Sequence, residues 1–154
     1  MSSFIQMRAK ELNQMLEHAQ ALCANRGVRL TAGRREVLSI IYQAGQPIGA
    51  YEILERMREA HDKIAPTTVY RALDFLLQEH LIHKLETLHA FVPCDSPDHP
   101  HSSKFLICTE CGDVDELDSS GVDRNLSKLA QAKGFMPKEQ TVEISGTCAD
   151  CIED

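Results

Sequence analysis

The chain has 154 residues, 43% of them hydrophobic and 25% charged, with no tryptophan and a formal net charge of −7. That is enough for one ordinary domain or two small ones, each near the size at which a core alone is marginal and a metal staple helps. No apolar run approaches the length of a bilayer span and the polar start Met1-Ser2-Ser3 has no signal-peptide core, so a cytoplasmic protein with six reduced cysteines is expected.

The acidity is unevenly spread. Residues 1–93 carry 11 Lys+Arg against 10 Asp+Glu, whereas residues 94–154 carry 5 against 13. Only the first stretch is balanced well enough to approach a polyanion, and the asymmetry predicts two modules with different partners.

From Phe4 to about Asn25 the apolar residues Leu12, Met15, Leu16, Ala19, Leu22 and Cys23 recur at three- and four-residue steps, which predicts one helix ended by Gly27. Cys23 lies on that stripe without a ligand-type neighbour at metal spacing and reads as a small core residue. His18 and His61 fall on helix surfaces. Thr31 is a good N-cap for a second helix that runs to about Ala44, buries Val37, Leu38 and Ile41, and stops at Gly45. A third helix, Ala50 to Ala60, buries Ile53, Leu54 and Met57.

Pro66 suits the first turn of a fourth helix. On it Val69, Ala72, Leu73 and Leu76 form the core face, while Thr67, Arg71, Asp74 and Gln78 display groups that read bases and hold phosphates. Ile82 to Glu86 and His89 to Val92 read as short strands around Thr87-Leu88. Helices followed by such a hairpin predict a winged helix-turn-helix, the alternative being a helical protein-interaction domain.

The segment from Pro93 to Ser103, rich in proline, serine and aspartate, marks a boundary. The expected organisation is a winged-helix DNA-binding domain over 1–93, a hinge over 94–103 and a second domain over 104–154, whose dimerisation and metal-binding roles rest on the features that follow. In the last, strands Lys104 to Cys108 and Asp113 to Leu117 form a hairpin, Ser119 or Ser120 caps a helix through Leu126, Leu129 and Ala130 to Gly134, and Glu139 to Thr147 is a long strand. The fold class is α+β, with a three-stranded antiparallel sheet in this second domain. Its strand edge and helix face are natural places for a twin subunit.

Two thiol pairs bracket the second module: Cys108-Thr-Glu-Cys111, followed by Gly112, and Cys148-Ala-Asp-Cys151. Four thiolates converging on one ion make a tetrahedral set that favours Zn²⁺; a redox dithiol is the competing reading of such pairs. A second constellation remains in His83, Cys94 and His101 together with a carboxylate after Cys111. Glu116 and Asp115 both compete for the carboxylate position, strand alternation puts them on opposite faces, and His99 is an alternative to His101, with His89 in reserve. Ligands drawn from both halves would let an ion fix the angle between the modules.

These residues resemble the ferric-uptake-regulator family of bacterial metal sensors, most closely its zinc-uptake branch, over about residues 20–151. The most specific segments are Ala65-Pro66-Thr67-Thr68-Val69-Tyr70-Arg71-Ala72-Leu73, Phe105-Leu106-Ile107-Cys108-Thr109-Glu110-Cys111-Gly112 and Cys148-Ala149-Asp150-Cys151. The resemblance implies a dimeric repressor that binds palindromic operator DNA when its sensing metal is present and controls zinc-uptake genes. It implies structural zinc ligands Cys108, Cys111, Cys148 and Cys151, regulatory ligands His83, Cys94, His101 and Glu116, and hence two zinc ions per chain. It also implies DNA contacts from Arg29, Tyr51 and Arg71, to which the exposed face of the fourth helix adds Thr67.

Two segments depart from the family pattern. Leu30-Thr31-Ala32-Gly33-Arg34 replaces the usual Leu-Thr-Pro-Gln-Arg, and Pro100-His101-Ser102-Ser103-Lys104 stands where iron-type members carry a dense histidine run. The alternative effectors are iron or a peroxide or thiol signal on the same scaffold. No enzyme is expected, since the chain has no HExxH, no GxSxG and no phosphate loop, and a closed four-sulfur site leaves no position for a substrate.

Overall fold

A computed structural model of the chain describes residues 9–98, 103–117 and 120–152. The described residues fall into two compact units, one over 9–98 and the other over 103–152.

The N-terminal unit contains helices α1 (Ala9–Asn25), α2 (Ala32–Gln43), α3 (Ala50–Ala60) and α4 (Pro66–Gln78), followed by strands β1 (Ile82–Leu85) and β2 (Ala90–Pro93). The apolar spacing dictates what each helix buries: Leu16, Ala19 and Cys23 from α1, Val37, Leu38 and Ile41 from α2, Ile53, Leu54 and Met57 from α3, and Val69, Ala72, Leu73 and Leu76 from α4. These side chains form one cluster with Ile48, Leu81, Ile82 and Phe91. Each large apolar member contributes about 1.5–3 kcal/mol on burial.

The ends of the helices follow from local chemistry. Gly27, at φ +74°, ends α1 with paired bonds from Val28 N–H to Cys23 O at 2.9 Å and from Gly27 N–H to Ala24 O at 3.1 Å. That pattern needs a left-handed residue, which glycine adopts without a Cβ clash. The Thr31 hydroxyl accepts from Arg34 N–H at 3.4 Å at the start of α2, so the cap survives the Ala32-Gly33 departure. Pro66 opens α4, whose first turn has no acidic residue.

The end of α4 repeats the α1 pattern with a different residue. Leu81 N–H donates to Leu76 O at 3.0 Å and His80 N–H to Leu77 O at 3.1 Å, with His80 itself at φ +57°. After this turn β1 pairs antiparallel with β2, from Ile82↔Pro93 to Leu85↔Ala90. Ile48 adds a bridge to Phe91, with N–H···O bonds of 3.1 and 2.8 Å in the two directions. The wing is thereby pinned to the α2–α3 connection.

The C-terminal unit contains β3 (Ser103–Cys108), β4 (Val114–Glu116), α5 (Ser120–Gln131), β5 (Thr141–Gly146) and the short helix α6 (Ala149–Ile152). Its three-stranded sheet has the order β4-β3-β5. β3 pairs antiparallel with β4, as expected, but parallel with β5, from Ser103↔Thr141 to Cys108↔Gly146. The expectation of a purely antiparallel sheet is therefore corrected to a mixed one. The chain between Cys108 and Thr141, which includes β4 and α5, is long enough for the crossover that parallel neighbours require. Ser119, one of two expected caps of α5, lies outside the described residues, as do His99 and His101.

Inside this unit Lys104, only 3% exposed, holds both carboxylate oxygens of Asp123 at 2.9 and 3.0 Å and so ties α5 to β3. Gln140 Nε2 donates to Asp123 O at 3.0 Å and to Ser127 Oγ at 2.6 Å, which ties the start of β5 to the same helix. None of the residues of α5 is buried, and Leu126 and Leu129 are 38% and 66% exposed.

A non-glycine residue in the left-handed region costs about 1–2 kcal/mol. His80→Gly should accordingly raise stability by up to about 1 kcal/mol, the extra backbone entropy of glycine in the unfolded chain offsetting the rest. Urea unfolding of the two proteins checks this, and a lowered midpoint would show that the imidazole has a stabilising role of its own.

Candidate metal centres and nucleic-acid face

The first pair of thiols sits where β3 turns back into β4. Gly112 N–H donates to Cys108 O at 3.0 Å and Cys108 N–H to Asp113 O at 2.8 Å, with Gly112 at φ +78°, so the residue after the pair must be able to adopt a left-handed backbone. The second pair opens α6, with Cys151 and Ile152 N–H groups both 3.0 Å from Cys148 O. The parallel register places Cys108 opposite Gly146, two residues before Cys148. Thr109 locks the two turns together, through its N–H to Gly146 O at 2.8 Å and its hydroxyl at 3.2 Å from the same oxygen.

All four sulfurs lie within 4.8 Å of one another, with Cys108–Cys151 at 3.9 Å and Cys111–Cys148 at 3.8 Å. Four sulfurs at Zn–S distances of about 2.3 Å in a tetrahedron stand roughly 3.8 Å apart, so the donor set fits zinc. Every cysteine in the chain is a free thiol. The backbone N–H groups of Cys111 and Cys148, the latter 3.3 Å from Cys108 Sγ, hold the Cys108 thiol down to about 6. The Cys148 sulfur, together with burial, pushes Cys151 up to about 12. Sulfurs this crowded resist ionising together unless a cation balances them.

A second set begins in the wing. His83 on β1 and Cys94 just beyond β2 are 5% and 2% exposed, and their donor atoms lie within 4.8 Å of one another. His83 stands opposite Val92, and Cys94 N–H donates to Leu81 O at 3.1 Å, so the hairpin ladder sets this approach. Tyr42 is close by: burial, then Cys94 and Cys23, push its hydroxyl well above the usual range and keep it a neutral phenol. Of the competing carboxylates on β4, Glu116 is partly buried and Asp115 exposed, as alternation requires. His89 is exposed at φ +50° on the turn of the wing.

The outer face of α4 is open. Thr67 and Arg71 are exposed there, Arg29 is exposed before α2, and Tyr51 on α3 is 75% exposed. Tyr70, 57% exposed beside Arg71, belongs with them and was not among the residues expected from sequence. The signal available was an aromatic residue off the apolar stripe of an amphipathic helix. Arg34 packs its guanidinium 3.9 Å from the centroid of the Phe75 ring and links α2 to α4.

Residues 25–145 match the family model described as "Ferric uptake regulator family". The chain belongs to the ferric uptake regulator family. It is 40% identical over 148 residues to the zinc uptake regulation protein of Escherichia coli (strain K12), covering 96% of this chain and 86% of that protein. It is 30% identical over 131 residues to the zinc uptake regulation protein of Mycobacterium tuberculosis, covering 81% and 95%. Among solved structures, one of a zinc uptake regulator complexed with zinc and DNA matches with a TM-score of 0.88 at 40% identity, covering 92% of this chain and 95% of that one. Another, of holo XcZur, gives 0.86 at 45% identity with coverage of 92% and 99%.

Replacing one sulfur should open the four-thiolate set. Cys148→Ser is expected to lose one zinc per chain and to destabilise the C-terminal unit by several kcal/mol, a fraction of the roughly 10–16 kcal/mol that structural zinc can supply. Metal content and urea unfolding check this together; a variant with wild-type metal content would place the zinc elsewhere.

Proposed function

We propose that the chain is a zinc-responsive transcriptional repressor that binds palindromic operator DNA as a homodimer when its second metal site is loaded, and so controls zinc-uptake genes in the cytoplasm. The observation that carries this reading is the buried pair His83 and Cys94, built into a wing that follows α4 after one tight turn. A donor pair in that position bears directly on the helix whose outer face is free to read DNA. The 40% identity to a zinc uptake regulation protein and to a regulator solved with zinc and DNA supports the same assignment.

Two zinc ions per chain are proposed, with different duties. Cys108, Cys111, Cys148 and Cys151 hold the first and staple the C-terminal unit. His83, Cys94, His101 and Glu116 hold the second, a mixed nitrogen, sulfur and oxygen set that exchanges more readily than four thiolates. When bound, zinc supplies a cross-link between these side chains and does no bond-breaking chemistry.

On this reading Arg71 and Thr67, both exposed on α4, meet base edges in a major groove, with the exposed Tyr70 beside them. Tyr51 and Arg29 approach the backbone or an adjacent groove. The N-terminal stretch has a near-even charge balance, so attraction to phosphates comes from local basic groups and falls as salt rises. Of the eleven exposed large hydrophobic residues among those described, eight lie in the C-terminal unit: Leu106, Val122, Leu126, Leu129, Phe135, Met136, Ile144 and Ile152. An apolar surface concentrated there suits burial against a second copy.

Operator affinity should depend on the exchangeable zinc alone. With two zincs per chain the protein is expected to bind operator tightly, and mild chelation that leaves one zinc should weaken binding by up to about 10⁴-fold, the range of a near-complete two-state switch. Fluorescence anisotropy with metal counting decides it; equal affinity at one and two zincs per chain would end the proposal. Arg71→Ala should cost about 1–3 kcal/mol of specific binding and relax discrimination at one base pair. A uniform loss across sequences would instead make Arg71 a phosphate contact.

A further inference from the structure

The proposed effector site needs Cys94 presented in a set relation to α4, yet the segment that follows Cys94 has no regular secondary structure as far as Asp98. It is held from outside by α1. Arg26, at the end of that helix, donates from Nη2 to Pro97 O at 2.7 Å and from Nη1 to Glu79 O at 2.5 Å. Glu79 is the C-cap of α4, and its carboxylate Oε2 lies 3.6 Å from Arg26 Nη1, with side chains 29% and 15% exposed. One guanidinium therefore joins three pieces of chain: the end of α1, the end of the reading helix, and the linker three residues beyond Cys94.

The remaining bonds close a ring. Leu81 N–H donates to Leu76 O on α4, and Cys94 N–H donates to Leu81 O. From α4 the connection runs through Leu81 to Cys94, along the linker to Pro97, across Arg26 to Glu79, and back to α4. His18 on α1 also reaches this segment and meets Asp98 at 2.9 and 3.2 Å, but both side chains are about half exposed and such a pair contributes little.

We infer that Arg26 is a positioning residue for the effector zinc: it ties the linker beyond Cys94 to the C-terminal end of α4, so that the thiol is presented in register with the helix that reads DNA. This rests on the function proposed above. A planar guanidinium suits the task because it directs separate N–H groups at two carbonyls at once, whereas a lysine ammonium offers a point charge on a flexible stem. Groups hydrogen-bonded directly to metal ligands typically change affinity by about 10–100-fold when removed, and Arg26, acting through the backbone three residues beyond Cys94, belongs at the lower end of that range.

The test is zinc titration of the full-length protein against a chromophoric chelator, comparing wild type with Arg26→Ala, Arg26→Lys and His18→Ala, alongside urea unfolding of each protein loaded with one zinc. Arg26→Ala should weaken the second zinc by about tenfold while the first stays bound, Arg26→Lys should recover part of that loss, and His18→Ala should have a smaller effect. Should Arg26→Ala fail to fold, the comparison of Arg26→Lys with wild type carries the test. A second zinc held equally well by wild type and the Arg26 variants overturns the inference, as does a loss of affinity that merely tracks a lowered unfolding midpoint. Wild-type protein that takes up one zinc only overturns the functional reading, and this inference with it.

Discussion

Six residues of β3 run parallel to six of β5, and that register brings Cys108 beside Gly146 and so to the second thiol pair. Had β5 paired on the far side of β4, Cys108 would stand two strand spacings from it, roughly 9.5 Å, too far to share one ion with the second pair. The small sheet and the four-sulfur set thus depend on each other. With none of α5 buried, the unit has little apolar core to spare, and its cohesion comes from the ladder, the Lys104–Asp123 pair and the sulfurs. Binding free energy at such a site is folding free energy.

The N-terminal unit is built on the opposite economy. Its helices share one continuous apolar cluster that also takes in Ile82 and Phe91 from the wing, so it needs no metal to cohere. That leaves its surfaces free for other work. The core face of α4 uses Val69, Ala72, Leu73 and Leu76, and Thr67, Tyr70 and Arg71 stay exposed outside it. The Ile48–Phe91 bridge matters for the same reason, because a wing fixed to the helical core holds His83 and Cys94 steady beside the end of α4.

Much of this was legible in the sequence, and the reasons are local. The bounds of α3, Ala50–Ala60, and the start of α4 at Pro66 follow from three- and four-residue apolar spacing and, for α4, a proline, all of which act within one or two turns. The thiol pairs were legible because the chemistry demands both residue type and spacing. The direction of β5 was not, because period-two alternation tells which face a side chain takes and nothing about which strand lies alongside. Arg26, His18, Tyr70 and the Ile48–Phe91 bridge escaped for a related reason. Each is an ordinary residue whose meaning lies in a partner tens of positions away, as His18 shows with Asp98, or in being left outside a core that other residues fill.

On the proposed reading, the division into two donor sets has an energetic logic. A zinc that holds a fold together is worth about 10–16 kcal/mol, whereas a ligand that switches a two-state equilibrium needs only about 5.5 kcal/mol of preference for one state. An ion serving both purposes would either never leave at the concentrations a cell uses as a signal or would unfold the protein whenever it left. Four thiolates inside one unit suit the first duty, since every ligand comes from the same small sheet and its flanking turns. The second duty calls for weaker, mixed donors attached to the part of the molecule that must respond, and His83 and Cys94 hang on the turn that ends the reading helix. Keeping structure and signal on separate ions lets the protein lose one without losing the other.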